Sequence, residues 1–500
     1  MSDPFHPGHL VMVDIEGTRL DAATADFLRQ HHIRAVCLFR KNLGTEDEVR
    51  QLLAELRAVL GPKALIGIDQ EGGSVVRATF LPQAPAAMAL GAIADDEAAE
   101  QAAEQVGAAV ARGLIGLGIN WNFAPVLDVN NNPANPVIAE RSFGADPQRV
   151  ARLAGAWLRG SLSEGVACCV KHFPGHGDTH VDSHHALPSV DKSLAELAAL
   201  ELLPFQALAG VAPAVMTAHI VYPQLDPEHP ATLSPRILGD ILRGSLGYEG
   251  VVISDALMMK AIHDRYGHAR AAVMTLQAGA DMPLAQGSRA EQAATVQAIA
   301  KALEAGQLQL AALQASAARL DALATRYPAE PRRYTIVQRA ADTVLMRAVW
   351  RQGLCTLGAV PLPAQLGPLR VVTQSRVDCD GVSEAGLAGD AVRDLFPADA
   401  DVVMTMVDDL RAFDPTHLPT DGRALVIVSN HRRRYDERAR HWQPALHIAV
   451  WNPFQVLDIA APSLVSWGYA EGALLALSNW LAGHGEATGQ APVPLHALSV

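Results

Sequence analysis

The densest chemistry in the chain lies between Lys171 and His184, where Lys171-His172-Phe173-Pro174-Gly175-His176-Gly177-Asp178-Thr179-His180 runs into Val181-Asp182-Ser183-His184. Histidines at 172, 176, 180 and 184 recur every four residues, a spacing that on a helix would stack four imidazoles on one face and suggest a metal site. Pro174, Gly175 and Gly177 argue against that helix. Proline removes a backbone donor and clashes with the preceding turn, and the glycines bend cheaply and accept positive φ. The segment therefore reads as a mobile loop, with no metal expected. Within it, Asp182 and His184 are two positions apart. On such a backbone a carboxylate can accept a hydrogen bond from one ring nitrogen, fix the tautomer and leave the other nitrogen to exchange a proton with substrate. The plain alternative is a histidine bonded only for local order.

A loop of this kind needs a rigid base. The apolar, β-branched run at 166–170 directly precedes it and reads as a short buried strand. Similar runs occur at 10–14, 35–39, 64–69, 120–123, 214–217, 250–254 and 279–284, separated by longer amphipathic stretches. This alternation predicts β/α units on a parallel sheet, and eight of them predict a (β/α)8 barrel of the TIM type, with an open doubly wound sheet as the alternative. Polar groups fall at the carboxyl ends of different runs: Asp69-Gln70-Glu71-Gly72-Gly73, Asn122 with Asp128, Lys171-His172, His219 and Ser254-Asp255. A barrel builds its active site from the loops that follow its strands, so this convergence is what a catalytic barrel requires. Any one of these residues alone could be a helix cap. The Asn- and Pro-rich stretch 130–136 can be neither helix nor central strand, and it displays Arg141-Ser142-Phe143-Gly144 from a loop, Arg141 serving either a surface ion pair or a fork for hydroxyl or carboxylate groups.

The 500 residues, 49% of them hydrophobic, with 39 Gly and 31 Pro, describe a turn-rich, well-buried globular chain of more than one domain. A net charge of −13 argues against nucleic-acid or anionic-membrane partners, and Arg432-Arg433-Arg434 is too short a basic run to change that; it reads as solvated. Five cysteines, an odd number mostly in apolar runs, suit buried free thiols in a reducing compartment. With no basic-then-apolar start and no apolar run of membrane-spanning length, the expected location is the cytoplasm.

After helical stretches at 288–304 and 307–325, residues 327–333 read as a linker, which divides the chain into a barrel domain at 1–326, a linker at 327–335 and a second unit at 336–500. That unit shows an amphipathic stretch at 336–350, strand-like runs at 369–372, 402–407, 424–429 and 446–450, and a helical run at 470–481. No strand end in it carries a comparable cluster of acids and histidines, which predicts a smaller α/β packing or auxiliary domain.

In the barrel, the residues nominate Asp255 as nucleophile, His184 as proton shuttle with Asp182 behind it, and Asp69, Arg77, Arg141, Lys171 and His172 as hydroxyl binders. Carboxylates and cations without a phosphate-cradling glycine loop or a cysteine site point to a neutral, polyhydroxylated ligand, a sugar. A carboxylate attacking the anomeric carbon would give a covalent glycosyl-enzyme, hydrolysed with retained configuration. Histidine replaces the usual second carboxyl group and needs little tuning, its ordinary pKa of about 6.5 lying near operating pH.

The same segments resemble glycoside hydrolase family 3, in its β-N-acetylhexosaminidase branch. The resemblance rests on Lys171 to Asp178 and Asp182-Ser183-His184, with Ile68-Asp69-Gln70-Glu71-Gly72-Gly73, Asn122 to Asp128, Arg141-Ser142-Phe143-Gly144, Met216-Thr217-Ala218-His219 and Val252-Ile253-Ser254-Asp255, in family order from about residue 8 to 325. It implies an often distorted barrel, Asp255 as nucleophile, His184 as general acid/base oriented by Asp182 on a loop that moves over the cleft, and Asp69, Arg77, Arg141, Lys171 and His172 around a terminal N-acetylglucosamine. It also implies no metal or organic cofactor, and release of that sugar from muropeptides in bacterial peptidoglycan recycling. Three features depart from the pattern: Ser74 where arginine often follows the Gly-Gly pair, Ala256 where many relatives carry a second acid, and the additional C-terminal unit, whose end resembles the αβα sandwich of two-domain members. With Asp182 and His184 present, that unit is expected to supply no acid/base residue. The readings that compete with a retaining exo-β-N-acetylglucosaminidase are a glycoside phosphorylase, because an imidazole does not repel incoming phosphate as a carboxylate would, a β-glucosidase, and a non-catalytic sugar-binding barrel.

Overall fold

The computed structural model describes residues 5–182, 187–379, 382–383 and 385–495. Eight strands close into a barrel: β1 (Met12–Asp14), β2 (Ala35–Leu38), β3 (Leu65–Ile68), β4 (Trp121–Asn122), β5 (Ala167–Phe173), β6 (Ala214–Thr217), β7 (Val251–Ala256) and β8 (Met282–Ala285). Each pairs in parallel with its neighbours in chain order, and β8 closes on β1 with Met12 opposite Leu284. The strands are almost wholly buried, as expected of a parallel sheet covered outside by helices and filled inside by side chains. The open-sheet alternative is excluded by this closure.

The helices form for readable reasons. Glu46–Leu60 starts at a capping box, Thr45 with Glu48, and buries Val49, Leu52, Leu53, Leu56 and Leu60 on one stripe. Ser288 with Glu291 caps Arg289–Glu304 in the same way. Two strands run further than the apolar pattern shows. β5 continues through Lys171, His172 and Phe173, and β7 continues to Ala256, so Lys171 and Asp255 are strand residues. The reading of Lys171 and His172 as the start of a mobile loop is thereby corrected: polarity marks the end of the buried run, while ladder bonding carries the strand past it.

A smaller mixed sheet follows, in the order β9, β14, β13, β12, β10, β11, with strands β9 (Cys355–Leu357), β10 (Leu369–Gln374), β11 (Val402–Val407), β12 (Ala424–Ser429), β13 (Leu446–Ala449) and β14 (Ser463–Val465). All neighbours are parallel except β9 and β14. The short strands β9 and β14 escape the sequence pattern because three residues show no period. Ile336–Gly353 and Glu471–Leu481 pack together, and Trp350 joins Met88 and Ala89 of the barrel side to Phe454 and Trp467 in one apolar cluster that glues the two sheets' domains. Four cysteines are buried and free as expected, but Cys379 is exposed.

Candidate active site

At the carboxyl end of β3 the chain passes Asp69 and folds back as a small hairpin, Gln70–Gly72 against Val75–Val76. Its turn holds Gly72 and Gly73 at φ 108° and 60°, a region that favours glycine, and a Cβ on Gly72 would lie 2.3 Å from the Pro85 carbonyl oxygen. The hairpin brings Glu71 beside Asp69. Lys171, on β5, donates from Nζ to Asp69 Oδ1 and reaches Glu71 Oε1, each at 2.7 Å. Arg141 grips Glu71 with two prongs, Nε to Oε2 at 2.9 Å and Nη2 to Oε1 at 2.8 Å. Arg77 lies 3.8 Å from Asp69 and donates to the Val382 carbonyl at 2.9 Å.

Glu71, Lys171 and Arg141 have side chains almost out of water, so their charges need mutual compensation. Burial alone would raise the Glu71 pKa, but Arg141 and Lys171 outweigh it and hold the carboxyl far below its usual range. For Lys171, burial lowers the pKa and Asp69 with Glu71 more than restore it, so the ammonium stays charged. The same balance raises Arg141. Arg141 is thus a buried, doubly bonded group on the turn Ala139–Arg141, not one simply displayed from a loop.

His172 is fixed by Asp128, which is fully buried. Its Nδ1 sits 2.7 Å from Asp128 Oδ2, and the backbone N–H groups of His172 and His176 donate to Oδ1 at 3.1 and 2.7 Å. Committing Nδ1 to the carboxylate leaves Nε2 for a ligand. Asp128 stays below its ordinary pKa because His172 overcomes the effect of burial. His176 is pushed down to about 4, by burial first and then by His172, and so is neutral.

Asp255 is half-buried at the end of β7, its Oδ1 accepting the Ala256 N–H at 2.7 Å. His219 lies behind that strand end: Nε2 is 3.0 Å from the Ala256 carbonyl and Nδ1 2.8 Å from Thr232 Oγ1. It is therefore a support for β7, not part of the cavity wall. Asn122 is likewise structural, exchanging two 3.0 Å bonds with the Gln70 backbone.

Asp69, Arg77, Arg141, Lys171, His172 and Asp255 all line one cavity of about 130 Å³ at the barrel's carboxyl end, with Phe39, Phe123 and Met216 as apolar walls. Against the roughly 300–1,000 Å³ of pockets for drug-sized ligands, that is room for a single terminal ring. Asp182 is not on this wall. It lines a second cavity, of about 730 Å³, between barrel residues 134–136 and the second domain. His184 lies outside the described residues. Among the described residues no three His, Cys, Asp or Glu groups cluster as a metal site.

Sequence reasoning assigned no role to Glu71 or Asp128, although both stood inside the quoted motifs. It missed Val382 completely: this second-domain residue lines the small cavity while its carbonyl holds Arg77. Ser74 turns away from the cavity, bonding to the buried Glu140, and accepts from Ser383 Oγ at 3.2 Å. The arginine triplet is also corrected. Arg432 is buried and donates to the Val137 carbonyl at 2.6 Å, and Arg434 donates to Pro133 at 2.8 Å while paired with Asp458; only Arg433 is exposed.

Residues 7–323 match the glycosyl hydrolase family 3 N terminal domain. The chain belongs to glycoside hydrolase family 3. A family 3 β-N-acetylglucosaminidase structure from Paenibacillus sp. FPU-7 is 31% identical, with a TM-score of 0.83 and 99% of each chain covered. The β-hexosaminidase of Pseudomonas aeruginosa (strain LESB58) is 41% identical over 284 residues, 56% of this chain and 83% of that protein. The β-hexosaminidase of Neisseria meningitidis serogroup C is 41% identical over 290 residues, 57% of this chain and 80% of that one. As a family 3 member the chain is a glycoside hydrolase. No helix among the described residues is long and apolar enough to cross a membrane.

Proposed function

We propose that this chain is a retaining, exo-acting β-N-acetylglucosaminidase that removes a terminal N-acetylglucosamine through a covalent glycosyl-aspartate. The observation that carries this reading is the small cavity that Asp255 lines together with Asp69, Arg77, Arg141, Lys171 and His172. A cavity of this size suits one terminal sugar, and fixed hydrogen-bonding groups can orient its hydroxyls without reorganising during reaction. Asp255 then attacks the anomeric carbon as its bond to the leaving oxygen breaks, and His184, steered by Asp182, gives that oxygen its proton. Water next attacks the same carbon, His184 takes the water's proton, and the Asp255 carboxylate is released. The β-hexosaminidase names of the relatives support the amino-sugar preference.

A muropeptide substrate, a bacterial cytoplasmic setting, the absence of any cofactor, and the division into 1–326, 327–335 and 336–500 belong to the same proposal. The test compares an aryl N-acetyl-β-glucosaminide with the aryl β-glucoside, each with and without phosphate, and identifies the first-formed anomer by NMR. A β-anomer from the amino sugar in phosphate-free buffer supports the reading. An α-anomer, a sugar 1-phosphate, or preference for the glucoside overturns it.

A further inference from the structure

Three loops at the carboxyl end of the second sheet press on one short stretch of the barrel. After β10, Ser383 Oγ donates to Ser74 Oγ at 3.2 Å; after β12, Arg432 donates to the Val137 carbonyl at 2.6 Å; and just after β13, Trp451 Nε1 donates to Glu140 Oε1 at 2.9 Å. Ser74 also donates to Glu140 Oε1. Ser383, Ser74, Glu140 and Trp451 thus form one hydrogen-bonded row that leaves the second domain, passes through the barrel and returns. None of the four is more than 3% exposed.

The centre of this row is a carboxyl group in a buried interface, and burying it costs free energy unless hydrogen bonds compensate. Glu140 is compensated at one oxygen only: both donors go to Oε1, and Oε2 is buried without a hydrogen-bond partner. Apolar side chains would join two domains with less penalty, as the cluster of Val75, Val137, Ile138 and Val382 does close by. Adhesion is therefore a poor account of Glu140.

What Glu140 holds is a turn. It is the middle residue of Ala139–Arg141, and Ala139 sits at φ 39°, in the left-handed region that a residue with a Cβ adopts only where its surroundings enforce it. The barrel supplies part of that enforcement. Asn130 Nδ2 donates to the Ala139 carbonyl at 2.8 Å, and Asn135 Oδ1 accepts from the N–H groups of Val137 and Ile138 at 2.9 and 2.8 Å. The second domain supplies the rest, through Trp451 on Glu140 and Arg432 on Val137. The residue that ends the turn is Arg141, whose guanidinium donates to the same Val137 carbonyl at 3.1 Å while it grips Glu71 and lines the sugar cavity.

We infer that Glu140 is a positioning residue for the glycosidase reaction: held by Trp451 of the second domain and Ser74 of the barrel, it fixes the strained turn that aims Arg141 into the sugar cavity. This rests on the proposed reading of Arg141 as a sugar binder. The test measures kcat and KM for an aryl N-acetyl-β-glucosaminide. Trp451→Phe keeps a ring against Tyr469 but removes the N–H, so KM should rise about fivefold, the scale of one lost hydrogen bond, with kcat within about twofold. Glu140→Ala removes both bonds and should raise KM about tenfold or more. Glu140→Gln, whose side-chain carbonyl still accepts from Trp451 and Ser74, should recover most of that loss. Because the effect runs through Arg141, adding Trp451→Phe to Arg141→Lys should raise KM no more than about twofold further. Leu477→Ala, which opens a cavity in the second domain's own core, should lower the thermal unfolding midpoint and leave KM unchanged, separating aim from stability. An unchanged KM in Trp451→Phe, an undiminished effect in the Arg141→Lys background, or an equal rise of KM in Leu477→Ala would overturn the inference. If the unaltered protein cleaves no aryl N-acetyl-β-glucosaminide, the proposed function fails by itself. Calorimetry of N-acetylglucosamine on the full chain and on Trp451→Phe then decides: binding about fivefold weaker in the variant supports the positioning role, and equal or absent binding overturns it.

Discussion

Both domains gather polar residues at the carboxyl end of a parallel sheet, yet the two ends behave differently. The barrel's closure aims eight strand ends at one point, so Lys171, Arg141, Asp69 and Glu71 meet within hydrogen-bond reach, Asp69 alone keeping part of its side chain exposed. The second sheet is open. Its strand ends offer a crevice only where the order reverses, and the far wall comes from another body, the barrel loop at 134–136. In the first place the buried charges must be compensated by each other because little water reaches them; in the second, Arg433 has no ion pair among the described residues and water still solvates it.

The sharpest way to break this contrast is to remove the group at the centre of the closed end. Asp255→Ala should lower kcat/KM for an aryl N-acetyl-β-glucosaminide by roughly 10⁴-fold or more, a scale set by deleting members of a catalytic constellation. A loss of only a few-fold would mean the barrel cavity is not the reaction site. Next, Lys171→Met leaves the Asp69 and Glu71 carboxylates facing each other in a buried space, and denaturant unfolding should show about 3–5 kcal/mol of lost stability. An exposed cation treated likewise, Arg433→Met, should move stability by no more than about 0.5 kcal/mol. Similar effects at the two positions would erase the distinction between the regions.

Val382 links them. Enlarging it in Val382→Phe crowds the sugar cavity, and overpacking of about 1–3 kcal/mol predicts a KM for the aryl glycoside raised roughly 5- to 150-fold with the fold retained. An unchanged KM would show that the second domain does not shape the sugar site.

Acid should affect both ends, gradually. The folded-state pKa values of His176 and His431 are lowered from 6.5 to about 4, and that of His447 to about 3, burial being the first cause in each. From about pH 6.5 down to those values the unfolded chain binds protons the folded chain refuses, so stability falls as pH falls, by at most about 1.4 kcal/mol per unit per group. Glu71 and Asp128, with depressed pKa values, contribute stability above the ordinary carboxylate range and lose it as pH drops below about 4.5, in the same direction. Two of the three histidines lie in the second domain, so the urea midpoint of that domain's unfolding should shift first between pH 7 and 5. A flat profile over that interval would contradict the neutral, buried state assigned to these rings.

Much of this was legible in the chain itself, because it depends on local patterns. Buried parallel strands read as short apolar runs, and capping pairs such as Thr45 with Glu48 mark where helices begin. The residues that line the sugar cavity could be nominated because a barrel gathers whatever follows its strands. Strand ends were less legible: Lys171 and His172 look like loop residues, since polarity and ladder bonding give opposite signals there.

What the sequence alone determined is therefore the alternation of elements and the identity of the polar groups at the strand ends, both set by period and position. Only the tertiary structure decided their partners. Glu71 became the shared acceptor of Lys171 and Arg141, Asp128 the anchor of His172, Val382 a wall of a cavity 300 residues back in the chain, and the arginine triplet one exposed cation and two struts rather than a solvated run. The reason is range: burial and pairing depend on which distant surfaces close on one another, and no local period encodes that.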